Sequence, residues 1–535
     1  MNKIFYIILI SLFSLTIISC SSKDDNEKFN EPVRKGGDTV NDVLDPVGDG
    51  INDVLDPVGD TVNDGLDSVG DGVGTITGGT GGTGGGSSTT TDNTTTTGCT
   101  TNSSWTKQLG SSGHEFGVGV TTDSSCNIYV TGVAYDDVVC TGRFFFNIKC
   151  VYVNRDLFLI KYNSSGTKQW TKHYGENGKG VTTDSSGNIY VTSYTDSDKS
   201  DIILIKYNSS GTKQWTKKMG ASSGTYGDYG FGVTPDSSGN IYVSGHTYRG
   251  DFDGKKDNSP SYRSETDLFL VNYNSSGKRQ WTKQLKTPAS DWGGGVTTDS
   301  SGNIYMGATT DGGLNGFIYG RSDIALIKFN SSGKRQWIKA FGGNRYSALQ
   351  MGSSESEGFK GITTDSLGNI YMTGYTFGDL GWWEKNKGRA DIFLTKINLS
   401  ETVKWIRQLG SSENEDASGV TTDSSDNIYV TGNTQGDFDG NTHLGGECEV
   451  GDGKLVEVKY KPCNDIFLVK YNSSGTKQWT KLLGTSKDDV ATSVTTDSSD
   501  NIYVTGYTNG DLDGNTNSGK EDIFLVKFNS SGTKQ

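Results

Sequence analysis

"SVTTDSSDNIYVTGYT" at residues 493–508 and "DIFLVKFNSSGTKQ" at 522–535 together contain four strand-like runs. The runs are rich in Val, Ile, Phe and Tyr. Between them stand Asp-Ser-Ser-Asp-Asn and Asn-Ser-Ser-Gly, residues that favour tight turns. The pattern predicts four antiparallel strands: 493–497, 501–508, 522–529 and a last one opening at "TKQ". "IFLV" is apolar on both faces, which suits a sheet covered on both sides.

The same phrase repeats along the chain, and the repetition decides the architecture. "YNSSGTKQW" or a close variant places tryptophans at 170, 215, 281, 337, 405 and 479, and Trp105 opens the series in "TNSSWTKQLG". Successive spacings are 65, 45, 66, 56, 68 and 74 residues, which makes seven units. Four strands per unit, seven times over, predict an all-β, seven-bladed β-propeller of four-stranded antiparallel blades. A right-handed β-solenoid is the alternative, but its coils are usually shorter and its ends need caps. Units reading "GVTTDSSGNIYVTG…DIFLVKYNSSGTKQW" resemble the bacterial seven-bladed β-propeller repeat family (SBBP). The resemblance extends over residues 99–535 and implies a fold without implying a chemistry.

The last copy reaches Gln535 without its tryptophan, while "WTKQLG" at 105–110 has the sequence of a fourth strand with no blade before it. The expectation is that this N-terminal strand completes blade seven, closes the ring and covers two open strand edges. The turn "DSSGN" at 184–188, 236–240 and 299–303 puts Gly where a left-handed residue is needed; Asp426, Asp500 and Cys126 stand at the equivalent place.

Composition agrees with an all-β head: 25 Tyr, 21 Phe and 10 Trp beside 75 Gly and only 7 Pro. The net charge of −14 is uneven. Residues 23–98 carry four basic and fifteen acidic side chains, so the head is close to neutral and shows no nucleic-acid footprint. "MNKIFYIILISLFSLTIISC" resembles a bacterial lipoprotein signal, its lipobox matching Ile17–Cys20. That implies removal of 1–19 and a lipid on Cys20, anchoring the chain to a membrane. Without Asp directly after Cys20, outer-membrane sorting is expected, with the head surface-exposed or periplasmic. Residues 20–98 then form a disordered spacer: an acidic eleven-residue repeat beginning at 40, 51 and 62, then a Gly/Thr-rich linker at 74–98. As coil, residues 21–98 would span roughly 45–55 Å.

Length varies among units almost wholly in the connections from second to third strand and from fourth strand to the next blade. Both emerge on one edge of an up-and-down blade, so one face is expected to be uniform and the other loop-rich. Loops on a rigid scaffold usually carry binding. Phe144, Phe145 and Phe146 in the blade-one loop, and Trp382 and Trp383 in "FGDLGWWEKNKGRA", are the aromatic ligand-binding candidates. With Cys20 lipidated, six cysteines remain for an exported protein. Cys140 with Cys150 and Cys448 with Cys463 bracket loop insertions, and Cys99 with Cys126 would pin the start of the propeller. "GDFDG" and "GDLDG" resemble half a calcium loop, through Asp251, Asp253 and Asp257, Asp437 and Asp439, or Asp511 and Asp513. Turn formation by Asp and Gly explains the same letters.

No catalytic constellation is visible. The four His are dispersed at 114, 173, 246 and 443, and the "GVTTD" strands expected to line the channel offer mainly Thr and Val at near-identical positions. No cofactor is expected, calcium aside. The reading that follows is a lipid-anchored envelope protein with a monomeric propeller head, binding a protein or glycan through its loop-rich face. The alternative is a propeller lyase or hydrolase acting on a glycan or peptide.

Overall fold

The computed structural model describes Cys99 and residues 104–534 apart from 144–145, 175–176, 196–199, 221–226, 249–251, 253–265, 286–288, 313–320, 342–352, 354, 381–384 and 451–458. The described residues form seven four-stranded antiparallel sheets, each ordered from first to fourth strand. Blade six is representative, with Glu415–Thr422, Ile428–Thr434, Asp465–Tyr471 and Lys477–Leu483. First strands of neighbouring blades lie against one another all round the ring, so they line the axis and fourth strands form the rim. Burial follows that order. Ile428–Thr434 and Asp465–Tyr471 are buried nearly throughout, whereas Lys477 and Gln478 are exposed.

One side-chain unit recurs in all seven blades. In blade six, Asp423 Oδ1 accepts the N–H groups of Ser425 and Asn427 at 3.0 and 2.8 Å. Its Oδ2 accepts the Asn427 amide and the Tyr429 hydroxyl, both at 2.8 Å. The Tyr-to-Asp bond measures 2.8–3.0 Å in every blade. The fourth-strand Trp leans on the same Tyr, ring centroids 5.9–6.4 Å apart. Blades are then latched to each other. Lys470 stands 5.2 Å over the Tyr429 ring and donates to Ser530 O of blade seven at 3.0 Å. Trp405 of blade five packs under Gly475 of blade six, where φ is +78° and a Cβ would come within 2.7 Å of the indole.

The expected seam is the observed one. Trp105–Leu109 pairs antiparallel with Asp522–Phe528, Trp105 opposite Lys527 and Leu109 opposite Ile523. Trp479 faces Lys470 in the same register in blade six. Trp105 also makes the repeated contacts, lying 6.2 Å from Tyr503 and under Gly166 of blade one. Just upstream, Cys99 is disulfide-bonded to Cys126, whose φ is +63° as the turn position requires. The Cys99 N–H donates to Ser499 Oγ at 2.7 Å, so the bridge sits across the boundary between blades seven and one.

The two faces differ as the spacings imply. Every first-to-second connection has five residues, as does every third-to-fourth connection in blades one to six. Second-to-third connections run from seven residues (195–201) to thirty (435–464), and fourth-to-first ones from two (175–176) to fifteen (342–356). The expected signal segment and spacer, residues 1–98, lie outside the described residues. Removing 105–109 is expected to expose the edge of 522–528. The urea midpoint should fall and amide exchange protection at 523–527 should be lost; an unchanged midpoint with intact protection would refute the seam.

Candidate functional site

The first strands hold a feature that the repeated phrase conceals. They begin about four residues earlier than "GVTTD" predicts, at Asp489 in blade seven and Glu415 in blade six. Each of the seven carries a β-bulge at one level, for example between Gly178 and Gly180 or between Phe359 and Gly361. A bulge bends the strand and re-aims a side chain. The residues at that level are Val118, Lys179, Phe231, Gly294, Lys360, Ser418 and Thr492, no two neighbours alike and all half-buried. Just beyond the bulge, toward the loop face, the strands are again dissimilar: Phe116, Asn177, Tyr229, Trp292, Gly358, Asp416 and Val490.

The other end of the same strands is uniform. Thr496 donates its hydroxyl to Thr422 O, Thr422 to Thr364 O, Thr364 to Thr298 O and Thr298 to Pro235 O, at 2.8–3.2 Å. Thr183 to Thr122 O and Thr122 to Thr496 O continue the ring at 2.7 and 2.8 Å. Proline has no hydroxyl, so Pro235 interrupts the series. The expectation of a channel lined alike by Thr and Val therefore holds at the turn face and is corrected at the loop face, where unlike groups meet.

Two sectors of the loop-face mouth are chemically distinct. Between blades one and four, Lys179 Nζ lies 5.4 Å over the Tyr194 ring and 5.9 Å over Phe231. Tyr229 packs on Tyr194 at 5.2 Å, and His246 stacks on Phe231 at 5.3 Å. Burial, reinforced by the Arg155 charge, pushes the Lys179 pKa well down. Burial, then the Lys179 charge, lowers that of His246 to about 3, so this imidazole is neutral. Between blades five and six, Lys360 pairs with Asp416 at 3.1 Å and stands 5.5 Å over Tyr375.

Below the mouth, blade boundaries bury acids beside one another. Glu357 accepts the N–H and hydroxyl of Ser353 and the Thr376 hydroxyl, with Asp323 nearby. Burial, helped by the Asp323 charge, pushes its pKa up to about 8. Asp489, bonded to Thr485 and Thr508, is raised to about 6 mainly by burial.

Other sequence-derived sites fall as follows. Cys448 and Cys463 are disulfide-bonded beside the hairpin Glu447–Val450/Lys459–Pro462. Cys140 and Cys150 stand directly opposite in the register of Asp137–Arg143 and Phe146–Val153. Phe146 opens the returning strand, while Cys20, Phe144, Phe145, Trp382 and Trp383 lie outside the described residues.

In the GDxDG loops, Asp437 and Asp511 accept the His443 and Asn517 N–H groups at 2.8 Å. Asp439 turns to Lys477 and Thr480, and Asp513 to Thr106 and Lys534. These four carboxylates are thus committed to separate protein donors, whereas calcium takes six to eight converging oxygens. Asp251, Asp253 and Asp257 lie outside the described residues. Sequence reasoning missed Lys179, Tyr229, Phe231, Lys360 and Asp416. Their only signal was that they differ where the flanking phrase does not.

A closed ring of seven four-stranded blades, uniform at one end of the channel and divergent at the other, defines a seven-bladed β-propeller of the repeat type. A β-propeller repeat (SBBP) model matches residues 104–137, 172–198, 280–317, 360–381, 404–439 and 478–513. Six segments spread along the chain thus match that repeat.

Among curated proteins, the chain is 28% identical over 205 residues to an uncharacterized WD repeat-containing protein, L264, of Acanthamoeba polyphaga mimivirus. That match covers 33% of this chain and 14% of the relative. It is 26% identical over 152 residues to the regulatory protein FlaEY of Caulobacter vibrioides, covering 28% and 15%. The chain thus spans a small part of either relative. Among solved structures it is similar to a Dyadobacter fermentans protein of unknown function, at 10% identity and a TM-score of 0.41, covering 79% and 98%.

The carboxyl of Glu357 has an ordinary pKa of 4.5 and a folded one of about 8. The folded state therefore holds its proton more tightly, so the stabilisation is complete below pH 4.5 and is lost as pH rises through 8. Thermal unfolding should show the head less stable at pH 8 than at pH 5, and Glu357→Gln should flatten that slope. An unaltered slope in the variant would refute the assignment.

Proposed function

We propose that the protein is an envelope-tethered binding scaffold whose propeller takes its ligand at the loop-face mouth of the channel. The observation that carries this reading is the loss of sevenfold likeness at one end of the innermost strands. Packing against identical neighbours favours identical residues, and at the V-T-T end it has them. At the bulge level the same scaffold holds Lys179, Phe231, Lys360 and Ser418, as a site for an asymmetric ligand would require. Phe116, Tyr229, Phe231 and Trp292 bring aromatic faces to these two levels, and the one carboxylate there, Asp416, is tied to Lys360. Such a lining supports recognition over acid–base turnover.

The chain enters the propeller at Cys99, which is bound to the uniform face through Cys126 and Ser499. The lipobox ending at Cys20 supports a lipid anchor for the chain. Labelled palmitate should be incorporated into the intact chain and not into a Cys20→Ser variant; equal labelling would remove the anchor from the reading.

A photo-crosslinking amino acid placed at Ser418, in the mouth, should yield adducts of reduced mobility in cells. The same group at Ser237, exposed in a turn on the uniform face, should yield none. Equal adducts from both positions, or none from Ser418, would overturn the placement of the site.

A further inference from the structure

We propose that the uniform face of the head docks on an anionic lipid bilayer, with Leu367 and Leu399 entering the headgroup layer beside a rim of surface cations. The inference goes beyond the scaffold reading: it assigns the face opposite the mouth and needs no acyl group on Cys20. It starts from a departure from likeness. Every other blade has Ser at two places in its turns, Ser425 and Ser473 in blade six for example. Blade five alone has Leu there, Leu367 in the first-to-second turn and Leu399 in the third-to-fourth. The two lie side by side, since a Cβ on Gly368 would come within 3.0 Å of Leu399 Cδ2. They are 68% and 53% exposed, and among the described residues Leu444 is the one other large apolar side chain so exposed. Scattered single leucines on a surface are ordinary, but an adjacent pair set against the repeat marks a contact surface.

Charge on this face is sorted by depth. Exposed at the starts of the fourth strands stand Lys168, Lys213, Arg279, Arg335, Lys404 and Lys477, one for each of blades one to six. Lys477 is also paired with Asp439. The acids of the same face are withdrawn. Each turn aspartate is bonded to its blade's tyrosine. Asp426 and Asp500 accept the N–H and hydroxyl groups of Ser366 and Ser424, in the preceding blades, at 2.9–3.0 Å. Glu401, two residues from Leu399, pairs with Lys339 at 3.5 Å. Among the described residues of these turns and strand starts, every exposed charge is positive.

A bilayer with anionic headgroups meets both features, phosphates for the cations and an apolar layer just beneath for the leucines. The equal five-residue connections keep the face level enough to present them together. A second copy of this face would bring like charges together, and a soluble polyanion offers the leucines no cover.

The test is co-sedimentation with vesicles of phosphatidylcholine containing phosphatidylglycerol, and with phosphatidylcholine alone. It uses residues 20–535 with Cys20→Ser, which keep every described residue but lack the apolar leader and the acyl site. The chain should bind the anionic vesicles and not the neutral ones, and should bind less as salt is raised. Arg335→Gln with Lys404→Gln should weaken binding by about tenfold or more, as two charges at the surface imply. Leu367→Ser with Leu399→Ser, which restores the phrase of the other blades, should weaken it by about tenfold. Lys487→Gln, in a fourth-to-first connection on the loop face, should leave it unchanged.

Thermal unfolding of each variant separates a lost contact from a lost fold. No binding to the anionic vesicles, equal binding to the neutral ones, or a folded leucine variant that binds undiminished would overturn the proposal. Dextran sulfate bound as tightly as the vesicles, with no effect of the leucines, would make the face a polyanion site and sink the bilayer. The scaffold reading rests on the adducts at Ser418, whichever way the vesicles go.

Discussion

The hydrogen bond from each buried tyrosine to the aspartate six residues earlier is the constraint on which the rest of this propeller depends. Tyr129, Tyr190, Tyr242, Tyr305, Tyr371, Tyr429 and Tyr503 are essentially inaccessible, so each phenol must find a partner inside the protein. The aspartate meets that need and also folds the turn, by accepting backbone N–H groups two and four residues on. One acid thereby ties turn geometry to core packing. The tyrosine ring then seats the blade's own tryptophan and, in every blade but the third, where Asn272 takes the place, a lysine; these reach the next blade through Gly475-like turns and carbonyls such as Ser530 O. Length cannot vary on this face without breaking the chain of contacts, which is why its connections are all five residues long.

With one face held this way, variation is confined to the other. Even there part of the loop sequence is structural. Phe252, Phe438 and Leu512 in the GDxDG segments, and Leu380 at the same place in blade five, are buried at 0–2% exposure and plug the blade boundaries. Gln408 accepts the Leu380 N–H and donates to Gly378 O, while Gln108 does the same for Leu512 and Gly510. These loops are straps across the rim strands. Their aspartates resemble a metal loop because Asp and Gly are what a strap with positive φ at Asp439, Gly440, Asp513 and Gly514 calls for.

Closure shows the same economy. A propeller must join its two ends or leave strand edges exposed, and this chain does so with Trp105–Leu109 in the register of every other fourth strand. The segment most open to peeling is this N-terminal closing strand. Cys99–Cys126 anchors the chain on its upstream side, so the closing strand is held at both ends.

The sequence by itself determined the blade count, the strand order, the seam and the two unequal faces; it offered the cysteine pairs 99–126 and 448–463 as candidates, and the tertiary structure joins them. These features are written in short-range spacings: Asp to Asn to Tyr at four and six residues, Gly in the turn, Trp at the end of each phrase. Hydrogen bonds and turns act over those distances, so the letters and the structure report the same thing. Only the tertiary structure decided where Lys179, Tyr229, Phe231, Lys360 and Asp416 go. They precede "GVTTD" in segments with no common phrase, and a single added residue in each strand brings them to two adjacent levels of the channel. Their proximity comes from ring closure, which brings residues scores of positions apart onto one rim, and no local pattern encodes it.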